Sequence, residues 1–287
     1  MDRKTAQLKK ILERVYRRYS RRELIKPDPL QFVYRYSNPS DMEIAGLLSA
    51  ILAYGKVQQI EKDLADLLAR MTDGPFEFVR TFDREKRGKL QDFKHRFTCG
   101  DDIADLLELL RNVLADFGSI ENFFVNGYNE DDLNIVGALG EFCDSLLSMY
   151  ARMHNGQITK GLGYLLPRPT AGSACKRLNL FLRWMVRDGD VDTGLWKAID
   201  KRKLIVPVDV HMGRLCRILG LYEQKNVSLS AALKITEGFR EIEPADPVKY
   251  DFALSRVGIL QRCTGQVRKG CELCELFEFC SKNRMKF

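Results

Sequence analysis

Two groups of side chains in this sequence have types and spacings suited to chemistry. The first lies in Ile205 to Leu221, IVPVDVHMGRLCRILGL. Its pattern predicts a short extended lead, then a helix that begins at Asp209 and stops at Gly220. An Asp at a helix start accepts bonds from unpaired backbone N–H groups and meets the positive end of the helix dipole. Both effects favour an ionised carboxylate, and Val206, Pro207 and Val208 are stiff residues that would hold it in one place. With His211, Arg214 and Arg217 following, such a carboxylate suits an electron-poor intermediate beside a polyanion. A plain structural N-cap fits the same residues. The second group is Cys263, Cys271, Cys274 and Cys280, spaced C-x7-C-x2-C-x5-C. Four thiols within 18 residues read as a metal loop, closed on tetrahedral zinc or holding an iron–sulphur cluster. Ligand count alone does not separate zinc from [4Fe-4S]. Arg262, Arg268, Lys269, Lys282, Arg284 and Lys286 surround the ligands, where they offset thiolate charge and offer phosphate contacts.

Composition sets the frame for both groups. The 287 residues carry a net charge of +7, which mildly favours an acidic partner. No window of about 18 uncharged apolar residues is present, so no membrane span is expected. The first 24 residues, MDRKTAQLKKILERVYRRYSRREL, are charged throughout and contain no apolar leader core. The expected location is cytoplasmic, where thiols stay reduced. The eight cysteines are then thiols or ligands rather than a disulfide frame. Cys99, Cys143, Cys175 and Cys216 are scattered and read as small apolar residues.

The elements that must position these groups are helical almost throughout. Leu8, Ile11, Leu12, Val15 and Tyr19 mark an amphipathic helix over about 3–20. Ser40 with Glu43 reads as a capping box that starts a helix from Asp41 to Ala53. Its interior is apolar on all sides and should be buried. Tyr54-Gly55-Lys56 breaks it, and Ile60, Leu64, Leu67, Leu68 and Met71 carry the next helix to Gly74-Pro75. Residues 76–100 lack a period; within them FKHRF places His95 in an aromatic–basic run, either a stacking surface or a buried amphipathic edge. Asp101 is expected to cap a helix ending near Gly118, and a longer helix should run from about Glu130 to Met153. The irregular stretch HNGQITKGLGYLLPRPTAG follows, of the kind that tends to be functional. From Ser173 the helix SACKRLNLFLRWMVR sets Ala174, Leu178, Phe181, Leu182 and Met185 against Lys176, Arg183 and Arg187. A short helix over Leu195 to Ile199 and helices near Ala231 to Arg240 and Asp246 to Leu260 complete the pattern. With no strand-like alternation of any length, the class is all-α.

VPVDVHMGRLCRILGL resembles the segment that carries the catalytic Asp in the helix-hairpin-helix DNA glycosylases, of both the 8-oxoguanine glycosylase and endonuclease III branches. The Cys tail is similar to the iron–sulphur loop of endonuclease III and the adenine glycosylase, with one residue more between its first two cysteines. DFALSRVGILQRC resembles the helix leading into that loop, and PSDMEIAGLLSAILAYGKVQQI the buried first helix of their six-helix barrel. The pieces occur in the same order over about 30–280. KRLNLFLRWMVR with the VD-type helix after it also resembles a bacterial family taken to be related to these glycosylases. The resemblance implies a two-domain fold. Residues 1–30 plus 222–287 would form one helical domain with the four-Cys metal loop. Residues 31–221 would form a six-helix barrel with the hairpin at about 160–187 and the catalytic-Asp helix at 209–219.

It also implies an activity: base-excision repair by an N-glycosylase that flips a damaged or mispaired base from double-stranded DNA and cuts its glycosidic bond. Asp209 would stabilise the oxocarbenium-like sugar. Lys176 would add AP-lyase chemistry by attack on C1′ through a Schiff base. A structural [4Fe-4S] cluster on Cys263, Cys271, Cys274 and Cys280, a monomeric state and a place at the bacterial nucleoid belong to the same expectation. Free N–H groups at Gly172 and Ser173, with Arg168 and Lys160 beside them, would bind a backbone phosphate. Tyr54, Lys56 and Gln58 sit where relatives probe the gap in the duplex. His211 would touch DNA or orient Asp209, and Arg268 and Lys269 would add phosphate contacts. The hairpin departs from the family pattern, LPGVG followed by Lys, because here it reads LPRPTAGSACK. Lys176 therefore stands four residues beyond Gly172, with Ala174 at the expected place, and 33 residues before Asp209. A solvated basic face shared with Arg183 and Arg187 accounts equally for Lys176. The rival function is a non-catalytic metal-cluster protein that binds DNA lesions or junctions.

Overall fold

The computed structural model describes residues 2–261, 263–267 and 269–282, apart from the side chains of Ser281 and Lys282. Arg262, Arg268, Arg284 and Lys286 lie outside the described residues. Helices α1 (Arg3–Tyr19), α2 (Pro39–Ile51), α3 (Val57–Ala69), α4 (Pro75–Arg80) and α5 (Arg84–Gly88) precede a hairpin of β1 (Lys94–His95) and β2 (Thr98–Cys99). Then come α6 (Gly100–Phe117), α7 (Ile120–Val125), α8 (Val136–Met153), α9 (Lys160–Leu165), α10 (Lys176–Val186), α11 (Val210–Leu219), α12 (Leu229–Ile242), α13 (Asp251–Leu260) and α14 (Phe277–Lys282). The fold is chiefly helical, as the periodicity predicts. No helix among the described residues is long and apolar enough to cross a membrane.

Helix α2 is the axis of the core. Residues 43–53 are all buried, and Ile44, Leu47, Leu48, Ile51 and Leu52 are fully so. Burial of each such side chain contributes about 1.5–3 kcal/mol. The helix packs on α10, on α4 and on the 3-10 turn Pro29–Arg35. At the other end of the chain order, α1 turns Leu8, Ile11, Leu12, Val15 and Tyr19 inward and packs on α12 and α13. The buried side chains of all these parts form one continuous cluster.

Several local expectations are corrected. Asn38, not Ser40, caps α2 by accepting from Ser40 N at 2.9 Å, because Pro39 already has helical φ and takes the first turn. Glu43 is not part of a capping box. It is buried in the core and accepts from Ile120 N (3.0 Å), Glu121 N (2.9 Å) and Trp196 Nε1 (2.7 Å). Its carboxylate thus caps α7 from another helix, while burial pushes its pKa up. At α6 the side chain that returns to the backbone is Asp102, bonded to Cys99 N, rather than Asp101. Helix α8 begins at Val136 instead of near Glu130, α10 at Lys176 instead of Ser173, and α13 at Asp251 instead of Asp246. Leu195 to Ile199 is not helical: Thr193 N and Trp196 N donate to Trp184 O and Met185 O, which ties this segment to the end of α10. A short antiparallel pairing does exist, with Lys94 opposite Cys99 and His95 opposite Thr98.

The largest correction concerns the supposed basic face of α10. Arg183 and Arg187 are buried, not solvated. Arg183 pairs with Asp192 (3.2 Å) and with Asp251, and Arg187 with Asp192 (3.0 Å) and Asp246 (2.8 Å). Lys176 is left without these two as companions on a solvent face.

Candidate active site

The extended lead Leu204 to Val208 is buried, and Val206 N donates to Thr236 Oγ1 at 3.0 Å. It delivers Asp209 to the N-cap of α11, and Gly220, in the left-handed region, ends that helix. Oδ1 of Asp209 accepts from His211 N and Met212 N, both at 2.9 Å. Oδ2 has no hydrogen bond among the described residues. One oxygen therefore fixes the carboxylate and the other is open to a ligand.

Asp209 lines a cavity of about 1090 Å³. Lys176, Ser173, His211 and Tyr54 line the same cavity. Five side chains selected from separate stretches of sequence are thus brought to one space. Lys176 is the first residue of α10. Before it come a 3-10 turn at Pro169–Ala171, left-handed Gly172 (φ 76°) and Cys175. Cys175 is a buried non-glycine residue at φ 45°, which is strained backbone, and its Sγ donates to Pro167 O at 3.1 Å. Burial pushes its thiol up to about 11. Lys176 itself makes no ion pair or hydrogen bond among the described residues.

The N-terminus of α10 has no side-chain cap, and its first residues line the cavity. Unpaired N–H groups at such an end suit an anion. Within the turn the expected donors divide. The N–H of Gly172 is not free, since it donates to Pro169 O at 2.8 Å. Gly172, Arg168 and Lys160 are not among the cavity's lining residues. Arg168 pairs with Asp144 at 3.6 Å, and Lys160 is exposed at the start of α9. Lys56 and Gln58 are exposed outside the cavity. Of the cations on α11, Arg214 lines the cavity while donating to Cys263 O (2.9 Å), and Arg217, outside it, donates to Gln224 O (3.0 Å).

Three lining residues, Tyr164, Arg177 and Asp251, are not among the candidates the sequence singles out. Tyr54, Tyr164 and Arg177 form one wall, with the Arg177 guanidinium 4.5 Å from the Tyr164 ring centre and 5.2 Å from that of Tyr54. Arg177 donates to the carbonyls of Ile51 and Tyr164, and burial lowers its pKa. Tyr54 is held behind by Thr98 Oγ1 at 2.8 Å and by an edge contact with His95. His95 is fully buried, bonded to Asp63 at 2.6 Å and to Tyr54 O at 3.1 Å, so FKHRF offers no stacking surface through that ring. Asp251, the third, stands at the head of α13 and is pushed up to about 6 by burial. Proximity in space, not in sequence, makes these residues part of the site.

A second cavity, of about 200 Å³, is lined by all four tail cysteines, by apolar Leu215, Ile218, Val257, Leu276 and Phe277, and by Lys269. No carboxylate among the described residues lines it. The thiols bound this space rather than closing on a point, and no three His, Cys, Asp or Glu among the described residues stand at single-ion spacing. The carbonyl contact from Arg214 ties the Asp209 helix to this loop.

A family model described as Protein of unknown function (DUF2400) matches residues 28–260. The match covers the large cavity's lining except Pro27, Cys263 and Thr264, and so stops short of the first tail cysteine. No curated protein and no solved structure matches the chain.

Proposed function

The chain belongs to the DUF2400 family, and for it we propose a DNA base-excision N-glycosylase with an AP-lyase step, acting on a damaged or mispaired base flipped out of the duplex. One observation carries this reading: Asp209, with an open carboxylate oxygen, and Lys176, with no ion-pair partner among the described residues, line one cavity large enough for a nucleoside. Breaking the N-glycosidic bond sends its electron pair out with the base and leaves positive charge on the sugar. The Asp209 carboxylate stabilises that charge. The amine of Lys176 adds to C1′; the C1′–O4′ bond then breaks as an N–H proton passes to the ring oxygen, which gives the imine from which strand cleavage proceeds. The uncapped N-terminus of α10 receives a backbone phosphate without reading sequence. The packing of α1 on α12 and α13 supports residues 1–30 with 222–287 as one lobe and 31–221 as the other, with DNA across the cleft.

The tail fits a [4Fe-4S] cluster held by Cys263, Cys271, Cys274 and Cys280. Four soft thiols around an apolar space suit a cluster better than one zinc, whose sulphur ligands stand about 2.3 Å from the ion. Bound there, the cluster would brace the loop that Arg214 joins to α11. The purified protein is expected to contain about four iron and four sulphide per chain, lost in Cys274→Ser; stoichiometric zinc with no iron would overturn the cluster.

Borohydride trapping tests the lyase step. The wild type is expected to form a covalent adduct with a duplex carrying an abasic site, and Lys176→Ala to form none. An adduct of undiminished yield in Lys176→Ala would remove the Lys from this role.

A further inference from the structure

The hairpin between α5 and α6 presents an exposed aromatic ring at its tip. Phe97 is 75% exposed, far more than any other aromatic side chain among the described residues. An exposed aromatic ring is available to stack on the π-face of a partner. Its surroundings are rigid. The neighbouring positions His95 and Thr98 are 0% and 1% exposed, and the cross-strand pairing between them closes the turn. His95 is locked by Asp63 and by Tyr54 O, and Thr98 by the Tyr54 hydroxyl. Only Arg96 and Phe97 project.

The position of this tip relates it to the large cavity. A Cβ on Gly55 would lie 2.6 Å from Arg96 Cδ, so the Arg96 side chain lies against the Gly55 turn. Tyr54 and Gly55 line the cavity that holds Asp209 and Lys176. Arg96 occupies the left-handed region at φ 52°, an uncommon state for a residue of its kind, and its guanidinium lies 5.2 Å from the Phe97 ring centre. Lys94, Arg96 and Lys56 are exposed around the tip and form no ion pair among the described residues. A rigid apolar ring in a cationic collar at the cavity rim matches the stacked bases and phosphates of a duplex. Protein side chains of this kind enter between base steps and kink the helix.

We infer that Phe97 is a wedge, inserted from the β1–β2 tip into the base stack beside the nucleotide whose sugar enters the cavity, with Arg96 and Lys94 on the flanking phosphates. This rests on the glycosylase reading and adds to it a positioning residue. The ring fills the gap left by the departed base, which lowers the cost of keeping that base extrahelical.

A duplex with a single tetrahydrofuran residue, an abasic analogue, serves as the probe, against the same duplex intact. Both native tryptophans, Trp184 and Trp196, are buried, so Phe97→Trp adds an exposed reporter; Leu133→Trp, at an 87% exposed position on another loop, is its control. The tetrahydrofuran duplex is expected to quench the added emission of Phe97→Trp and not that of Leu133→Trp. Phe97→Ala is expected to bind the tetrahydrofuran duplex about tenfold more weakly than wild type, with binding to intact duplex nearly unchanged and with an unchanged thermal midpoint. Wild-type preference for the tetrahydrofuran duplex, combined with an unaffected Phe97→Ala and a silent Phe97→Trp, would overturn the wedge alone. A wild type that shows no preference would overturn the glycosylase reading and the wedge together.

Discussion

Asp209→Asn is expected to lower base release by about 100- to 1,000-fold while leaving the helix it starts intact. The two effects separate because of how the carboxylate is used. Oδ1 holds His211 N and Met212 N, and an Asn carbonyl oxygen caps a helix about as well as a carboxylate. The substitution therefore preserves the backbone around Val208 and Met212 and removes only the charge. A cap alone needs no charge; a stabiliser of an oxocarbenium-like sugar does. The measurement pairs base release under single-turnover conditions with the urea midpoint of the same preparation. A loss of release with an unchanged midpoint assigns catalysis to the carboxylate. Unchanged release would reduce Asp209 to a structural cap.

Arg183→Met is expected to destabilise the protein by about 3–5 kcal/mol. Arg183 and Arg187 are buried between Asp192, Asp246 and Asp251, and Arg187 Nη2 also donates to the Tyr16 hydroxyl at 3.0 Å. The network thus joins α10, the segment after it, α13 and α1. Removing one cation leaves Asp192 and Asp251 buried with an unbalanced charge. The exposed pair Arg240–Glu237 provides the contrast, since its loss should cost below about 1 kcal/mol. The deficit has a pH sign. Burial raises the Asp251 carboxyl to about 6, and Arg183 works against that rise. A folded value above the unfolded one, about 3.9, gives a stability contribution that is present at low pH and lost as pH rises through the folded value. Without Arg183 that value climbs further. The variant should therefore lose more stability than wild type between about pH 5 and 8, measured by urea unfolding at each pH. A deficit independent of pH would exclude Asp251 as its source.

Legibility in the sequence followed the range of the interactions. Asp209, Gly220, the all-round apolarity of α2 and the stripe of α1 are local signals, and each marks its element within a few residues. Arg183 and Arg187 were misread because a helical projection sorts residues by face but cannot show what covers that face. Their carboxylate partners lie up to 68 residues away, and Tyr16, bonded to Arg187, lies 171 away. Glu43 failed in the same way: its spacing from Ser40 imitates a capping box, while its three donors come from residues 120, 121 and 196. Lys176 stands four residues beyond Gly172; the interval contains left-handed Cys175, and the Lys begins its helix. Tyr164 and Arg177 have no periodic or motif signal, because cavity walls are defined only after folding; Phe97 ends the FKHRF run, whose aromatic–basic pattern marks a stacking candidate without showing which ring is exposed.

The most direct test of the central claim is release of free base from a panel of duplexes, each carrying one damaged or mispaired base, followed by mass spectrometry. The account predicts that the wild-type protein releases a base from at least one of them and that Asp209→Asn releases it at least about 100-fold more slowly at equal concentration. No base from any duplex, with tight binding to them retained, would contradict it and leave a protein that binds DNA without cutting the glycosidic bond.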